Sequence, residues 1–373
     1  MRIGFDAKRL FHNFTGLGNY SRTLVSNLAR LYPDNEYLLF TPSTRNTHRT
    51  AEFLSHPRMQ IITPQRPNPL WRVWTMKNDA EKAKLDVFHG LSHEIPYRFQ
   101  KKKIPSVVTI HDLIFKVFPQ QYSWTDRNIY NLKFEYACKN SSKIIAISEN
   151  TKKDIVQFYK ISEQKIAMIP QTCDRSFYQL VSRKQKNIVR DKYNLPSQYL
   201  LNVGSIIERK RLLSIVQALA SFSKENRPPL VVIGKGREYK RCVLEFIKQH
   251  GLENDVIFIP HLAFADFPAV YQNALAMVYP SISEGFGLPI IEALFSHIPV
   301  VTSNRSCLPE AAGPSSLLID PDNIEEVAHA LSRVTNDSQL RERMITDGVQ
   351  YVQRFHENRV TAQTINLYSS LIR

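Results

Sequence analysis

Residues 199–222 read YLLNVGSIIERKRLLSIVQALASF. A short apolar run stops at Gly204, a polar loop follows, and apolar residues then recur at helical spacing. This is a strand, a turn and a helix, and the same order repeats on both sides of it. Downstream, PPLVVIG, DVIFIP, LAMVYPS, PVVTS and SLLID read as strands separated by helical stretches such as YKRCVLEFIKQHG and GLPIIEALFSH. Upstream, RIGFDA, EYLLFT, MQIIT, LDVFHG, IPSVVTI, KIIAIS and KIAMIP alternate with patterns such as GNYSRTLVSNLARLY. Strands that alternate with helices imply right-handed crossovers and parallel sheets.

The alternation pauses once. Residues 176–197, FYQLVSRKQKNIVRDKYNLPSQ, are polar and basic with no clear strand. The chain therefore divides into two Rossmann-like, doubly wound α/β domains. The expected bounds are 1–180 and 198–355, with a linker at 181–197. The last stretch, ENRVTAQTINLYSSLIR, is an unaccompanied helix that must pack on one of them.

The chain has 373 residues, enough for two domains of common size. No run of eighteen apolar residues is present, which argues against a membrane-spanning helix. The opening MRIGFDAKRLF breaks its apolar run with charges and reads as a first strand rather than a secretory signal. Four cysteines without CxxC or His/Cys clustering read as scattered thiols, not as a disulfide frame or a zinc site. The expected location is the cytoplasm.

The net charge of +15 is unevenly spread. Residues 1–180 hold 27 Lys/Arg against 15 Asp/Glu, leaving 22 against 19 for the rest. A basic first half suits an anionic surface such as phospholipid or a lipid-pyrophosphate acceptor, and a solvated basic face reads equally well. No helix-turn-helix and no RNP-like aromatic stripe supports nucleic-acid binding.

In open α/β sheets, ligands bind beyond the carboxyl ends of the strands. Four loops there carry chemistry. FHNFTGLGNY places Gly16 and Gly18 where a helix begins, a position that suits an anion or a plain tight turn. His111 ends PSVVTI and suits donation to a sugar hydroxyl or a developing negative charge; His89 sits similarly after LDVF, and either could instead satisfy local backbone. VGSIIERKR brings Gly204, Arg209 and Lys210 after a strand. Two cations there oppose the helix dipole unless an anion joins them. YPSISEGFGLPIIEAL sets Gly285, Phe286 and Gly287 at a helix start, with Glu284 in the loop and Glu292 eight residues on. A glycosidase pair would also use two carboxylates, but a phosphate-binding helix tip fits nucleotide-sugar chemistry better.

With these motifs assembled, the chain resembles the retaining glycosyltransferases of family 4, which have the GT-B fold with a cleft between two domains. The likeness spans nearly the whole length. EGFGLPIIEA matches the family's E-x7-E motif, VGSIIERKR its glycine-strand and R-K pair, and TGLGNYSRTLV with His111-Asp112 its acceptor-domain elements. The combination is closest to bacterial mannosyl- and rhamnosyltransferases of O-antigen and other surface polysaccharide.

The resemblance implies roles position by position. Glu284 contacts the donor sugar and Glu292 the ribose. Arg209 and Lys210 neutralise the diphosphate, and His111 lies beside the transferred sugar. Gly16 and Gly18 approach the phosphates, and Gly204, Ser205, Gly285, Phe286, Gly287 and Leu288 complete the donor site. Many members carry arginine directly after the strand glycine, where this chain has Ser205, leaving Arg209 to substitute.

The final helix is implied to cross back onto the first domain. No DxD motif appears, so no metal and no other cofactor is expected. GDP-mannose is the preferred donor, and a glycan or lipid-linked oligosaccharide the acceptor, met at the inner face of the plasma membrane. An epimerase or a phosphorylase of the same fold, or a sugar-binding pseudoenzyme, are the alternatives.

Overall fold

The computed structural model describes residues 1–372. Two compact units emerge, one of Met1–Thr172 with the residues from Phe355 onward, the other of Cys173–Arg354.

The first unit is built on seven parallel strands: β1 (Arg2–Asp6), β2 (Glu36–Phe40), β3 (Met59–Ile62), β4 (Val87–Gly90), β5 (Ser106–Ile110), β6 (Lys143–Ala146) and β7 (Ile166–Met168). Their order is β3-β2-β1-β4-β5-β6-β7. Direction of growth reverses between β1 and β4, so the loops after these two strands open a crevice. All five residues of β5 are buried, as expected of a strand covered on both faces.

The final helix, Glu357–Ile372, belongs to this unit. Its Val360, Ile365 and Tyr368 enter the same core as Ile3, Phe5 and Leu24. Tyr368 Oη lies 2.6 Å from His89 Nδ1, and His89 Nε2 lies 2.8 Å from Thr109 Oγ1. His89 is therefore a core histidine that ties the last helix to the sheet. Burial takes its pKa down to about 3, so it stays neutral.

The second unit carries β8 (Leu200–Val203), β9 (Leu230–Ile233), β10 (Val256–Ile259), β11 (Ala276–Tyr279), β12 (Val300–Ser303) and β13 (Leu317–Ile319). Their order is β10-β9-β8-β11-β12-β13, all parallel, with the switch between β8 and β11. The expected linker at 181–197 carries a helix, Arg183–Lys192, capped by the Ser182 side chain. It is joined to the second unit where Lys192 and Tyr193 both bind Asp266, at 2.7 and 2.8 Å. Charge and lack of a strand hid it, because a short surface helix buries little; here only Val189 is covered.

The four cysteines are free thiols; Cys138, Cys173 and Cys307 are buried and Cys242 is exposed. Among the described residues no helix is long and apolar enough to cross a membrane.

Candidate functional site

The second unit gathers a charged cluster at its switch point. The loop after β8 delivers Arg209 and Lys210, and the loop after β11 delivers Glu284. One carboxylate oxygen, Glu284 Oε1, lies 3.0 Å from Arg209 Nη1 and 3.2 Å from Lys210 Nζ. It also accepts from Ser281 Oγ at 2.8 Å and from Tyr279 Oη at 3.1 Å. Lys210 donates to Tyr279 Oη and lies over that ring, 4.8 Å from its centroid. Arg209 also donates to the Ser283 carbonyl, and the Ile282 amide returns a bond to Arg209 O at 2.9 Å. The two loops are thus locked by backbone and side chain together.

Burial alone would raise the Glu284 pKa, but the charges of Lys210 and then Arg209 outweigh it and hold the carboxyl below its ordinary value. The result is a fixed carboxylate between two fixed cations.

Glycine makes this cluster possible. Gly204 has φ +146°, and a Cβ there would stand 3.0 Å from Lys210 Nζ. At Gly234, just after β9, a Cβ would stand 1.8 Å from the Gly204 carbonyl oxygen, which no relaxation of a side chain relieves. Ser205 is exposed beside them.

The helix Leu288–Phe295 starts at Gly287, whose φ is +116°. Pro289 has no N–H, so of residues 287–289 at the helix tip only Gly287 and Leu288 carry an amide hydrogen. In the loop before the helix Phe286 is buried, and Cys307 Sγ lies 3.0 Å from Glu284 O and 3.2 Å from Phe286 O. Glu292, one turn into the helix, accepts from Tyr271 Oη at 2.7 Å. Burial raises its pKa to about 7, with the charge of Asp174 adding to the rise and the Tyr271 bond opposing it. Two carboxyls eight residues apart are therefore in opposite states of readiness: Glu284 firmly ionised, Glu292 half-protonated near neutrality.

In the first unit, His111 is buried and both its ring nitrogens are engaged. Nε2 donates to Leu91 O at 2.9 Å, and Nδ1 accepts from Gln171 Nε2 at 2.9 Å. Burial lowers its pKa to about 4, helped by Arg9 and opposed by the Leu91 bond. A sugar hydroxyl reaches this ring only if one of those bonds opens. Gly16 is open, with nothing within 4 Å of an added Cβ. Gly18 is not: a Cβ there would meet Asn13 O at 1.7 Å. Its amide, expected to face a phosphate, already donates to Asn13 Oδ1 at 3.1 Å.

Two family models cover nearly the whole chain. Residues 14–177 match the model described as Glycosyltransferase Family 4, and residues 184–350 that described as Glycosyl transferases group 1. The chain is a family 4 glycosyltransferase.

Its relatives agree. It is 28% identical to O-antigen chain mannosyltransferase B of Escherichia coli over the full length of both chains. It is 25% identical to O-antigen chain mannosyltransferase RfbU of Salmonella typhimurium, over 61% of this chain and 63% of that one. Among solved structures, HepE from Anabaena in complex with UDP and glucose superposes with a TM-score of 0.77 at 18% identity, covering 99% of this chain and all of the other. The GT-B fold of this glycosyltransferase is thereby shown.

Two features of the glycosyltransferase, a glycine pair and an arginine bridge, were not read from its sequence. Gly234 and Gly236 lie in VVIGKG directly after β9, and a G-x-G at a strand end was the available signal. Arg72 bridges Asp6 at 2.6 Å and Glu94 at 2.9 Å beyond β1 and β4. Asp6 ends a strand, but nothing in the sequence near Arg72 marks it.

Proposed function

We propose that this glycosyltransferase moves mannose from GDP-mannose, with retention of configuration, to a glycan or lipid-linked oligosaccharide of O-antigen or another surface polysaccharide. The observation that carries it is the Arg209–Glu284–Lys210 cluster beside the helix tip at Gly287. The names of the two O-antigen relatives support mannose as the sugar.

Departure of a nucleoside diphosphate builds negative charge on the leaving oxygen. Arg209, Lys210 and the Gly287 and Leu288 amides are fixed where they stabilise that charge as it forms. Glu284 keeps the two cations in place and offers its other oxygen, Oε2, to the donor sugar. Glu292 accepts from the ribose once ionised. His111, in the first unit, stays neutral and is held by its two ring bonds. The two side-chain cations supply the charge neutralisation that a divalent metal supplies elsewhere, so transfer proceeds in EDTA. The protein works in the cytoplasm against an anionic membrane surface reached through its basic first half.

The test is transfer to O-antigen acceptor fragments from a panel of nucleotide sugars in EDTA, with the product anomer read by NMR. Use of GDP-mannose with retention supports the proposal. Transfer from a UDP-sugar alone, or free altered sugar without transfer, as an epimerase would give, overturns it.

A further inference from the structure

A cavity of about 280 Å³ in the first unit lies between residues 115–119 and the helix Trp124–Asn140. It adjoins the small end of the range of ligand pockets, roughly 300–1,000 Å³. Its lining includes Lys116, Arg127, Asn131, Trp124 and Phe115, and no carboxylate.

Three observations bear on what it holds. Arg127 Nε and Asn131 Oδ1 are buried with no hydrogen-bond partner, a donor and an acceptor one turn apart. Leaving such groups unpaired costs free energy that a ligand recovers. Among the described residues neither Lys116 nor Arg127 has an ion-pair partner; Lys116 lies over the Phe115 and Tyr159 rings, 5.9 and 5.7 Å from their centroids. Trp124 stands at the lip with 71% of its surface exposed, an aromatic surface open to solvent.

The cavity is connected to His111 only through a relay of ring contacts. Phe115 lies 5.5 Å from Phe134, which stacks on His93 at 4.1 Å, and His93 meets His111 at 5.1 Å.

We infer that this cavity binds a sugar that bears a phosphate. The phosphate pairs with Lys116 and Arg127, a sugar hydroxyl donates to Asn131 Oδ1, and the apolar face of the ring lies on Trp124. Small side-chain rotations bring Nε and Oδ1 to the ligand. A bilayer surface is the poorer occupant, since it cannot enter a concavity to satisfy orphaned polar atoms, although Ile129 and Leu132 on the same helix are also exposed. The inference rests on the proposed function only in taking this ligand to be the phosphate-bearing sugar of the acceptor.

The test uses the full chain without donor, titrated with mannose 1-phosphate, methyl mannoside or inorganic phosphate, with indole fluorescence and calorimetry as readouts. Mannose 1-phosphate is expected to bind equally well to Lys210→Ala, which reports on the donor site. Arg127→Gln is expected to weaken binding roughly tenfold, the worth of a charged hydrogen bond. Trp124→Ala, at a position too exposed to unfold the chain, is expected to weaken it about fivefold. Binding that is indifferent to Arg127→Gln and Trp124→Ala, or inorganic phosphate binding as tightly as the sugar phosphate, overturns the inference. So does loss of sedimentation with phosphatidylglycerol vesicles in Arg127→Gln when no sugar phosphate binds, which assigns the surface to lipid. Transfer activity with no Arg127-dependent binding sinks this site alone, whereas Arg127-dependent binding in a protein without transfer sinks the proposed function and leaves the site.

Discussion

Raising the pH from 6 to 8 should tighten donor binding through Glu292. The carboxyl has a pKa of about 7 because burial disfavours its charge. About one molecule in ten is then ionised at pH 6 and about nine in ten at pH 8. If only the carboxylate accepts from the ribose, the KM for donor falls about tenfold across that interval, while kcat changes much less.

The same group has the opposite effect on the stability of the free protein. A folded-state pKa above the usual 4.5 means the native chain binds more protons than the unfolded one between pH 4.5 and about 7. Stability from this group is therefore complete below 4.5 and lost as pH rises through 7. The full loss is on the order of 3 kcal/mol. Glu292→Gln, which still pairs with Tyr271, should flatten the KM profile, weaken donor at pH 8 and raise the melting temperature there. Steady-state kinetics at fixed ionic strength and thermal unfolding in the same buffers measure both. A wild-type KM flat between pH 6 and 8, or a slope that survives in Glu292→Gln, would refute the reasoning.

Other outcomes follow from the geometry. Lys210→Ala should lower kcat on the order of a hundredfold or more, with the melting temperature little changed; near-normal turnover would remove Lys210 from the chemistry. Gly18→Ala should destabilise the first unit strongly, because the new methyl meets the Asn13 carbonyl, whereas Gly16→Ala should stay within about 0.5 kcal/mol; paired denaturant titrations decide it. Gly234→Ala should weaken donor binding by displacing Gly204 from Lys210, seen as a raised KM. Chelation with EDTA should leave turnover intact, and activity restored only by added divalent metal would contradict the proposed charge neutralisation.

Much of this protein is legible one segment at a time. A strand buried on both faces must be a continuous apolar run, and a crossover helix must repeat its apolar residues at helical spacing, so the two parallel sheets are written in local periodicity. That Glu284, Arg209 and Lys210 lie close together is legible because each follows a strand end, where the sheet forces loops to converge.

What required tertiary structure is whatever depends on partners distant in the chain. Gly16 and Gly18 look alike in TGLG, yet one is open and the other is pressed on Asn13. His89 and His111 occupy like positions, yet one bonds a tyrosine 279 residues away and the other a glutamine 60 away. Glu284 and Glu292 are the same residue type, and only the cations around one and the apolar burial of the other set their protonation apart. Local sequence determines which backbone path is cheap. The surroundings of a side chain, and with them its charge and chemistry, are set by residues that only folding brings near.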